Sequence, residues 1–534
     1  MALLGKNLLA SGLLLAAAVS AGAQQPAPAT ACDVGSAAKG SLALASLNVE
    51  RARQAGTGAA AESNLKSTVK ALESANEDPV TRSYLLGETL SLWMNQPNIG
   101  TVTKRGTVGF TTNPDASIDL IGTVDSLFSI VEKAKPNCQD FTAYYRGGQK
   151  FYLDLANGAI NALNAGKLDS AEYLATQANR IYPRSPYGVM VLGNVYSKRG
   201  NDAKAVAYWR AASEAAANDS AYRDVRRQML SNMGTVYLNR AQAASGAARL
   251  ADADSAAAAF AQLIEIPGTE GPYLYGSRQN YQTALLMRGD TAKFVSSYQP
   301  LLQNPSAYVY QDLLNSAVNA ARAEKAADAA RLFEATLSQN PYNRDALFNL
   351  GVTYLTLEQN DKVSPVTARL VAVDPGNPEN YNLAARAYLA LAKAAQAKKN
   401  TTLAAAYNDS TLTWYSRGNK LPAEVIFSEF TPSEKDLTIS GTVTDRRDKI
   451  DAGSSSAGAS TAKGKTTAKP ATKSTSASLA PKAVTLNFEA IDKSGAVLGT
   501  QSVTTEPLTP GKSANFHVTI PAANAIAYRY TIAP

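Results

Sequence analysis

One histidine in a chain of 534 residues sets a narrow limit on the chemistry available. His517 sits in "ANFHVTI", between Phe516 and Val518, where alternation of apolar and polar residues reads as a strand with the imidazole on its surface side. Without a second histidine a histidine-rich zinc site cannot be assembled, and the surface place of His517 speaks against its serving as the base of a Ser-His-Asp triad. No Gly-x-Ser-x-Gly elbow, phosphate loop or Gly-x-Gly-x-x-Gly turn occurs in a strand-turn-helix setting. The paired carboxylates Asp252 and Asp254 fall in a polar junction and read as solvated. No catalytic, cofactor-binding or metal-ligating residue is assigned, and a chain that is not an enzyme is expected.

Two further residue groups have types that could act. Cys32 and Cys138 are the only cysteines. Five lysines with no acidic neighbour fill "TAKGKTTAKPATKSTSASLAPK", Thr461 to Lys482. What either can do depends on compartment. The opening "MALLGKNLLASGLLLAAAVSAGAQQ" has an early lysine, an apolar stretch from Leu8 to Val19 and small residues at Ala21 and Ala23, the pattern of a signal peptide over residues 1–23. Export is therefore expected, to a bacterial periplasm or cell surface, with no transmembrane segment once the leader is removed. In an oxidising compartment a Cys32–Cys138 disulfide is the simplest expectation, worth roughly 4 kcal/mol through the long loop it closes, with two separate thiols as the alternative. Export also takes DNA and RNA away from the lysine tract, so no nucleic-acid partner is expected. The tract, about 451–482, reads as a disordered loop. Adhesion to anionic envelope polymers remains its alternative role.

The elements that would position any site are mostly helices. In "RDALFNLGVTYLTLEQNDKVSPVTARLVAVDP", Arg344 to Pro375, Leu347, Leu350 and Tyr354 form a helical stripe beside Gly351, and a second helix follows before Pro375. The pattern recurs as Val189, Leu192, Gly193, Tyr196, Gly200, Ala205, Trp209 and Ala212, and before that as Leu155, Gly158, Ala159, Gly166, Ala171 and Ala178 up to Pro183. These residues resemble the tetratricopeptide repeat, whose period is about 34 residues. Repeats open near Phe151, Pro186, Arg227, Tyr275, Tyr310, Arg344 and Pro378. Small residues such as Gly193, Gly234 and Gly351 let the paired helices approach, and Trp209, Phe260, Tyr298 and Phe333 plug the space. Ser316 and Ala317 depart from the family's leucine and glycine, so that repeat is expected to pack loosely.

Upstream, residues 24–150 read as helices at 41–54, 59–74, 80–93 and 118–134, with "SYLLGETL" echoing the repeat. A glycine- and threonine-rich stretch at 98–114 reads either as a β-hairpin turning at Lys104 to Gly106 or as a disordered excursion. After Trp414 the period changes to two. Six strands at 423–430, 437–443, 483–492, 496–505, 514–520 and 527–532 predict a small all-β sandwich over 421–534, interrupted by the lysine tract. "VTLNFEAIDKSGAVLGTQSV" resembles small exported β-domains of the FxLyD kind, in which the strand carrying Gly441 to Val443 would turn directly into the strand carrying Phe488. The expected fold is thus mainly α, a tetratricopeptide-type solenoid over 151–417 followed by that sandwich.

The repeat resemblance also implies where binding occurs. Stacked hairpins leave a concave groove lined by the first helix of each pair. Carried over by register, Tyr187, Asn194, Asn232, Thr235, Asn382 and Arg386 face it. The family's carboxylate clamp is not reproduced, so a C-terminal peptide ligand is not implied. The expected function is a non-catalytic scaffold that binds a protein or peptide of the cell envelope. The alternative is a cell-wall glycan or polyanion binder using the basic loop and the β-domain.

Overall fold

A computed structural model describes residues 32–34, 39–448 and 479–533. The signal-peptide stretch, and the lysine tract up to residue 478, lie outside the described residues. The chain divides into two compact units, Met1–Tyr273 and Leu274–Pro534.

The first unit opens with α1 (Ser41–Ala55), α2 (Ala59–Ser74), α3 (Pro79–Met94), α4 (Leu120–Ala134) and α5 (Gln139–Gly147). Local chemistry sets these starts. Asp78 accepts hydrogen bonds from the Val80 and Thr81 amides with Pro79 in the first turn, and Asp119 accepts from the Gly122 amide. Gly87 on α3 lies where a Cβ would come within 2.7 Å of the Phe128 ring on α4, so the echo of the repeat in "SYLLGETL" is a real hairpin contact. Cys32 and Cys138 form a disulfide across 106 residues. Glu88, 3% exposed, accepts from the Tyr145 hydroxyl at 2.7 Å and from Arg53, while burial pushes its carboxyl upward.

The stretch between α3 and α4 corrects the expected hairpin. β1 (Val102–Lys104) does pair with β2 (Ser117–Asp119), but the chain does not turn at Lys104 to Gly106. It makes a 3-10 turn at Arg105–Val108 and runs on to Ala116 before returning. The reason is tertiary. Val108 and Phe110 are buried in the core that contains Leu65, Val69 and Leu72 of α2, and Arg105 lies 4.1 Å over the Phe110 ring. Glu73 accepts from the Thr111 amide and hydroxyl at 2.6 Å each and from the Thr112 amide at 3.2 Å.

Three hairpins complete the unit: α6 and α7 (Lys150–Asn164, Leu168–Ile181), α8 and α9 (Pro186–Lys198, Asp202–Ala215), and α10 and α11 (Arg223–Ala243, Gly246–Ile264). The close approach demanded by glycine is visible at Gly193, where a Cβ would lie 2.4 Å from the Trp209 ring, and at Gly234, 2.7 Å from Phe260. Extra length in this part of the repeat is taken up by a 3-10 turn at Ser220–Tyr222 and by longer helices α10 and α11.

The second unit stacks four hairpins: α12 and α13 (Gly271–Arg288, Thr291–Gln303), α14 and α15 (Tyr310–Arg322, Ala326–Gln339), α16 and α17 (Arg344–Thr356, Asn360–Val373), and α18 and α19 (Pro378–Ala397, Thr401–Asn419). The hairpins and the antiparallel sheets that follow make a tetratricopeptide-like stack plus a small β-domain. Gly351 differs from its counterparts, since its nearest neighbour is Leu383 of the following hairpin, 2.8 Å from the Cβ position. The repeat of Ser316 and Ala317 is not loose. Both are buried, and a polar seam closes it: Gln282 donates to Ser316 at 3.0 Å, Asn319 to Gln282 at 3.3 Å, and Arg278 to Asp312 at 2.7 Å.

The β-domain comprises β3 (Ala423–Pro432), β4 (Asp436–Asp445), β5 (Thr485–Ile491), β6 (Val497–Thr504), β7 (Ser513–Pro521) and β8 (Ala527–Ile532). They form two antiparallel sheets in the orders β3-β4-β7 and β6-β5-β8. Leu437, Ile439, Val443, Leu486, Phe488, Ile520 and Tyr530 pack between them. Gly441 to Val443 and Phe488 thus lie in different sheets, so the lysine-rich segment connects strands that are consecutive in sequence but not hydrogen-bonded. The domain docks on hairpin ends of its own unit. Tyr530 donates to Asp374 at 2.7 Å and accepts from the Gly376 amide at 3.0 Å, Arg344 donates to the Tyr528 hydroxyl at 2.9 Å, and Asn340 donates to the Ile526 carbonyl at 3.0 Å.

Candidate functional site

In the first unit α6, α8 and α10 are neighbours, each backed by its own second helix. A first helix spends one face on that partner and another on the core, which leaves a third stripe uncovered. On α10 the stripe is Gln228, Asn232, Thr235 and Asn239, at the i, i+4, i+7, i+11 spacing of one helix face, and all four keep solvent exposure. Thr235 donates to the Ser231 carbonyl at 2.8 Å. Among the described residues, the carboxamides of Gln228, Asn232 and Asn239 have no hydrogen-bonding partner. Each amide offers two donors and an acceptor. The stripe is uncharged, so it can hydrogen-bond peptide groups and gains nothing from a charged ligand.

The sequence-derived residues are not one cluster. Tyr187 opens α8 near the N-terminal end of α10, half-buried, with its ring 5.6 Å from Tyr222 and edge-on to it. Burial, with Asp219 and Asp224 nearby, raises its phenol, and burial with Tyr182 and Asp219 nearby pushes Tyr222 to about 12. Asn194 faces inward: its Oδ1 accepts from the Trp209 Nε1–H at 2.8 Å, so it locks its hairpin. Asn232 and Thr235 are members of the α10 stripe. Asn382 and Arg386 stand one turn apart on α18, in the second unit, where Asn382 donates to Glu379 at 3.1 Å and Arg386 is exposed.

Gln228 and Asn239 were missed, although the i, i+4, i+7, i+11 spacing through Asn232 and Thr235 marks them. Tyr152 and Tyr222 were missed too. They lie thirty-five residues before and after Tyr187, and that spacing is the signal. Tyr152 is buried and hydrogen-bonds Ser185, the residue that caps α8, so this tyrosine row joins successive hairpins.

The groups considered for catalysis are elsewhere. His517 is exposed on β7, with Nδ1 3.0 Å from the Ser440 hydroxyl. Asp252 corrects the expectation of solvation: it is 8% exposed and pairs with Arg240 at 3.0 Å, because the expected junction is the helix α11. Among the described residues no group of three or more His, Cys, Asp or Glu side chains is placed to hold a metal ion, and no helix is long and apolar enough to cross a membrane.

No family model and no curated protein matches the chain. Solved structures similar to it include PilW, a widely conserved type IV pilus biogenesis factor, at 15% identity over 50% of this chain and 94% of that one, with a TM-score of 0.22. The apo form of RapI is 10% identical over 70% of this chain and 96% of its own, with a TM-score of 0.28. The TPR domain of P58(IPK) is 14% identical over 71% and 90%, with a TM-score of 0.20. At these scores the similarities carry no functional assignment, and the reading of this chain rests on its own geometry.

Proposed function

We propose that the protein is a non-catalytic scaffold that binds a protein partner through the open stripe of α10 and the adjoining end of α8. The observation that carries this reading is the set of uncovered, unpaired carboxamides at Gln228, Asn232 and Asn239 on a helix whose other faces are committed to packing. Such groups suit the main chain of an extended segment, with Tyr187 as an aromatic wall beside it. The signal-peptide pattern at 1–23 supports placing that partner in the bacterial cell envelope, periplasmic or at the surface, and the Cys32–Cys138 disulfide is compatible with that compartment. The resemblance of the β-domain to the FxLyD kind belongs to the same reading of an exported chain.

The test is a crosslinked pull-down from intact cells with the full chain and with Gln228→Ala/Asn232→Ala/Asn239→Ala. Each lost hydrogen bond is worth about 1 kcal/mol, so recovery of the partner should fall roughly tenfold or more while the thermal transition stays in place. Reproducible recovery of no protein, or equal recovery by the triple variant, sinks the reading.

A further inference from the structure

A second surface, on the β-domain, has a chemistry unlike that of the helices. On β4, Thr438, Ser440, Thr442 and Thr444 face outward while Leu437, Ile439, Gly441 and Val443 are buried. On β7, Ser513, Asn515, His517 and Thr519 are exposed while Phe516, Val518 and Ile520 are buried. The register places these outward residues in four rows, Thr438 with Thr519, Ser440 with His517, Thr442 with Asn515 and Thr444 with Ser513. Every row is closed by a side-chain hydrogen bond, at 3.4, 3.0, 3.0 and 2.8 Å.

β3 widens the array. Glu429 accepts from the Ser440 hydroxyl at 2.8 Å, Thr431 stands beside Thr438, and Ile426, 42% exposed, stands beside Thr442. Because the single hydroxyl proton of Ser440 goes to Glu429, its oxygen accepts from His517 Nδ1–H, which turns the opposite ring nitrogen, Nε2, to a ligand as an acceptor. No lysine or arginine occupies any row.

Solvent faces of sheets ordinarily carry charges of both signs, which keep them soluble and unpaired. This one presents instead a flat lattice of hydroxyl, amide and imidazole groups, spaced about 6.8 Å along the strands and about 4.8 Å across them. Its cross-strand bonds fix the side chains before any ligand arrives, which lowers the ordering cost of binding. The exposed carboxylate of Glu429, at the β3 side, with no cation in the rows, disfavours polyanions, whereas that of Glu424 is offset by Arg446 at 3.9 Å.

We propose that the outer face of the sheet β3-β4-β7 binds an uncharged polysaccharide, whose hydroxyl groups exchange hydrogen bonds with the Ser, Thr, Asn and His rows and whose ring faces cover Ile426. This surface is independent of the α10 stripe, so either assignment can fail alone.

The experiment is affinity electrophoresis of the full chain in gels containing neutral glucans, mannan or xylan, with heparin as the polyanion control. Retardation by a neutral polysaccharide, unchanged by added salt, is expected. Thr442→Lys/Asn515→Lys should weaken it by roughly tenfold or more, since one central row loses both of its groups and gains two charges. Thr442→Ala/Asn515→Ala, which avoids setting two like charges opposite each other, should weaken it less and should keep the wild-type thermal transition, because these side chains face solvent. Retardation by heparin alone, by none of the polymers, or equally for wild type and both variants would overturn the proposal.

Discussion

The two units use one packing rule and give their uncovered faces different chemistry. In the first, the open stripe of α10 is Gln228, Asn232, Thr235 and Asn239, neutral throughout. In the second, the corresponding stripes carry Gln311, Asn315, Val318 and Arg322 on α14, Phe348, Val352 and Leu355 on α16, and Asn382, Arg386 and Leu389 on α18, where carboxamides are mixed with apolar and cationic groups. Inside the hairpins the choices converge, because a glycine or alanine must meet a large ring whatever the surface does: Gly193 with Trp209, Gly234 with Phe260, Ala329 and Phe333 fully buried. Residues that pack are fixed by volume, and residues that do not pack are free to differ. If the proposed scaffold reading holds, difference in the uncovered stripes is where partner specificity would reside.

Removing a shared plug breaks the comparison most strongly. Trp209→Ala in the first unit should cost about 3–5 kcal/mol, since it empties the space that Gly193 leaves and orphans the Asn194 oxygen. Hydrogen exchange should then speed up in α8 to α11 while the amides of β4 and β5 keep their protection. Equal acceleration in both units would show that they unfold as one.

The next effect separates a buried bond from an exposed one. Tyr530 and Asp374 are 2% and 1% exposed, and burial together with the Asp374 carboxylate holds the Tyr530 phenol well above its ordinary range. Tyr530→Phe should cost about 3 kcal/mol, because it strands both Asp374 Oδ1 and the Gly376 amide where the sandwich docks. The first unit supplies the control. Tyr196 makes a bond of the same length, 2.7 Å, to Glu172 in a half-exposed setting, and Tyr196→Phe should stay within about 0.5 kcal/mol in denaturant titrations. Similar costs for the two variants would mean that the docking contact is solvated.

These contacts also show what the sequence could carry. The hairpins and strands were legible because 3.6- and 2-residue periods report which face is buried, and Gly193 or Pro375 mark their own roles. Tyr528 and Tyr530 in "AYRYTI" read only as strand residues, since nothing local says that Asp374, more than 150 residues earlier, receives one of them. Asn194 failed in the other direction: repeat register put it in the groove, but an indole nitrogen within reach claimed its oxygen. Of the six groove residues, Asn232 and Thr235 lie on the α10 stripe, Tyr187 near the start of that helix, and Asn382 and Arg386 on α18, so they fall in two separate units, which a one-dimensional register cannot report. The excursion after α3 was legible as strand-forming and not as a docked loop, because Glu73 lies on a different element.

That loop supplies a smaller effect than either the plug or the docking bond, one tied to pH. Burial alone would raise the Glu73 carboxyl, but hydrogen bonds from Thr111 and Thr112 outweigh it and bring it from the ordinary 4.5 down to about 2. A folded-state value below the unfolded one means the charged form is favoured by folding, so the contribution is complete above about pH 4.5 and is lost as pH falls from there toward 2. Glu73→Gln should therefore cost about 1–2 kcal/mol near pH 6, and the gap between variant and wild type should shrink as pH drops below 4.5. Denaturant titrations of both proteins at pH 6, 4 and 3 measure it. A gap that stays constant across that range would mean that the Thr111 and Thr112 bonds do not depend on the carboxylate charge, and that the loop is held by Val108 and Phe110 alone.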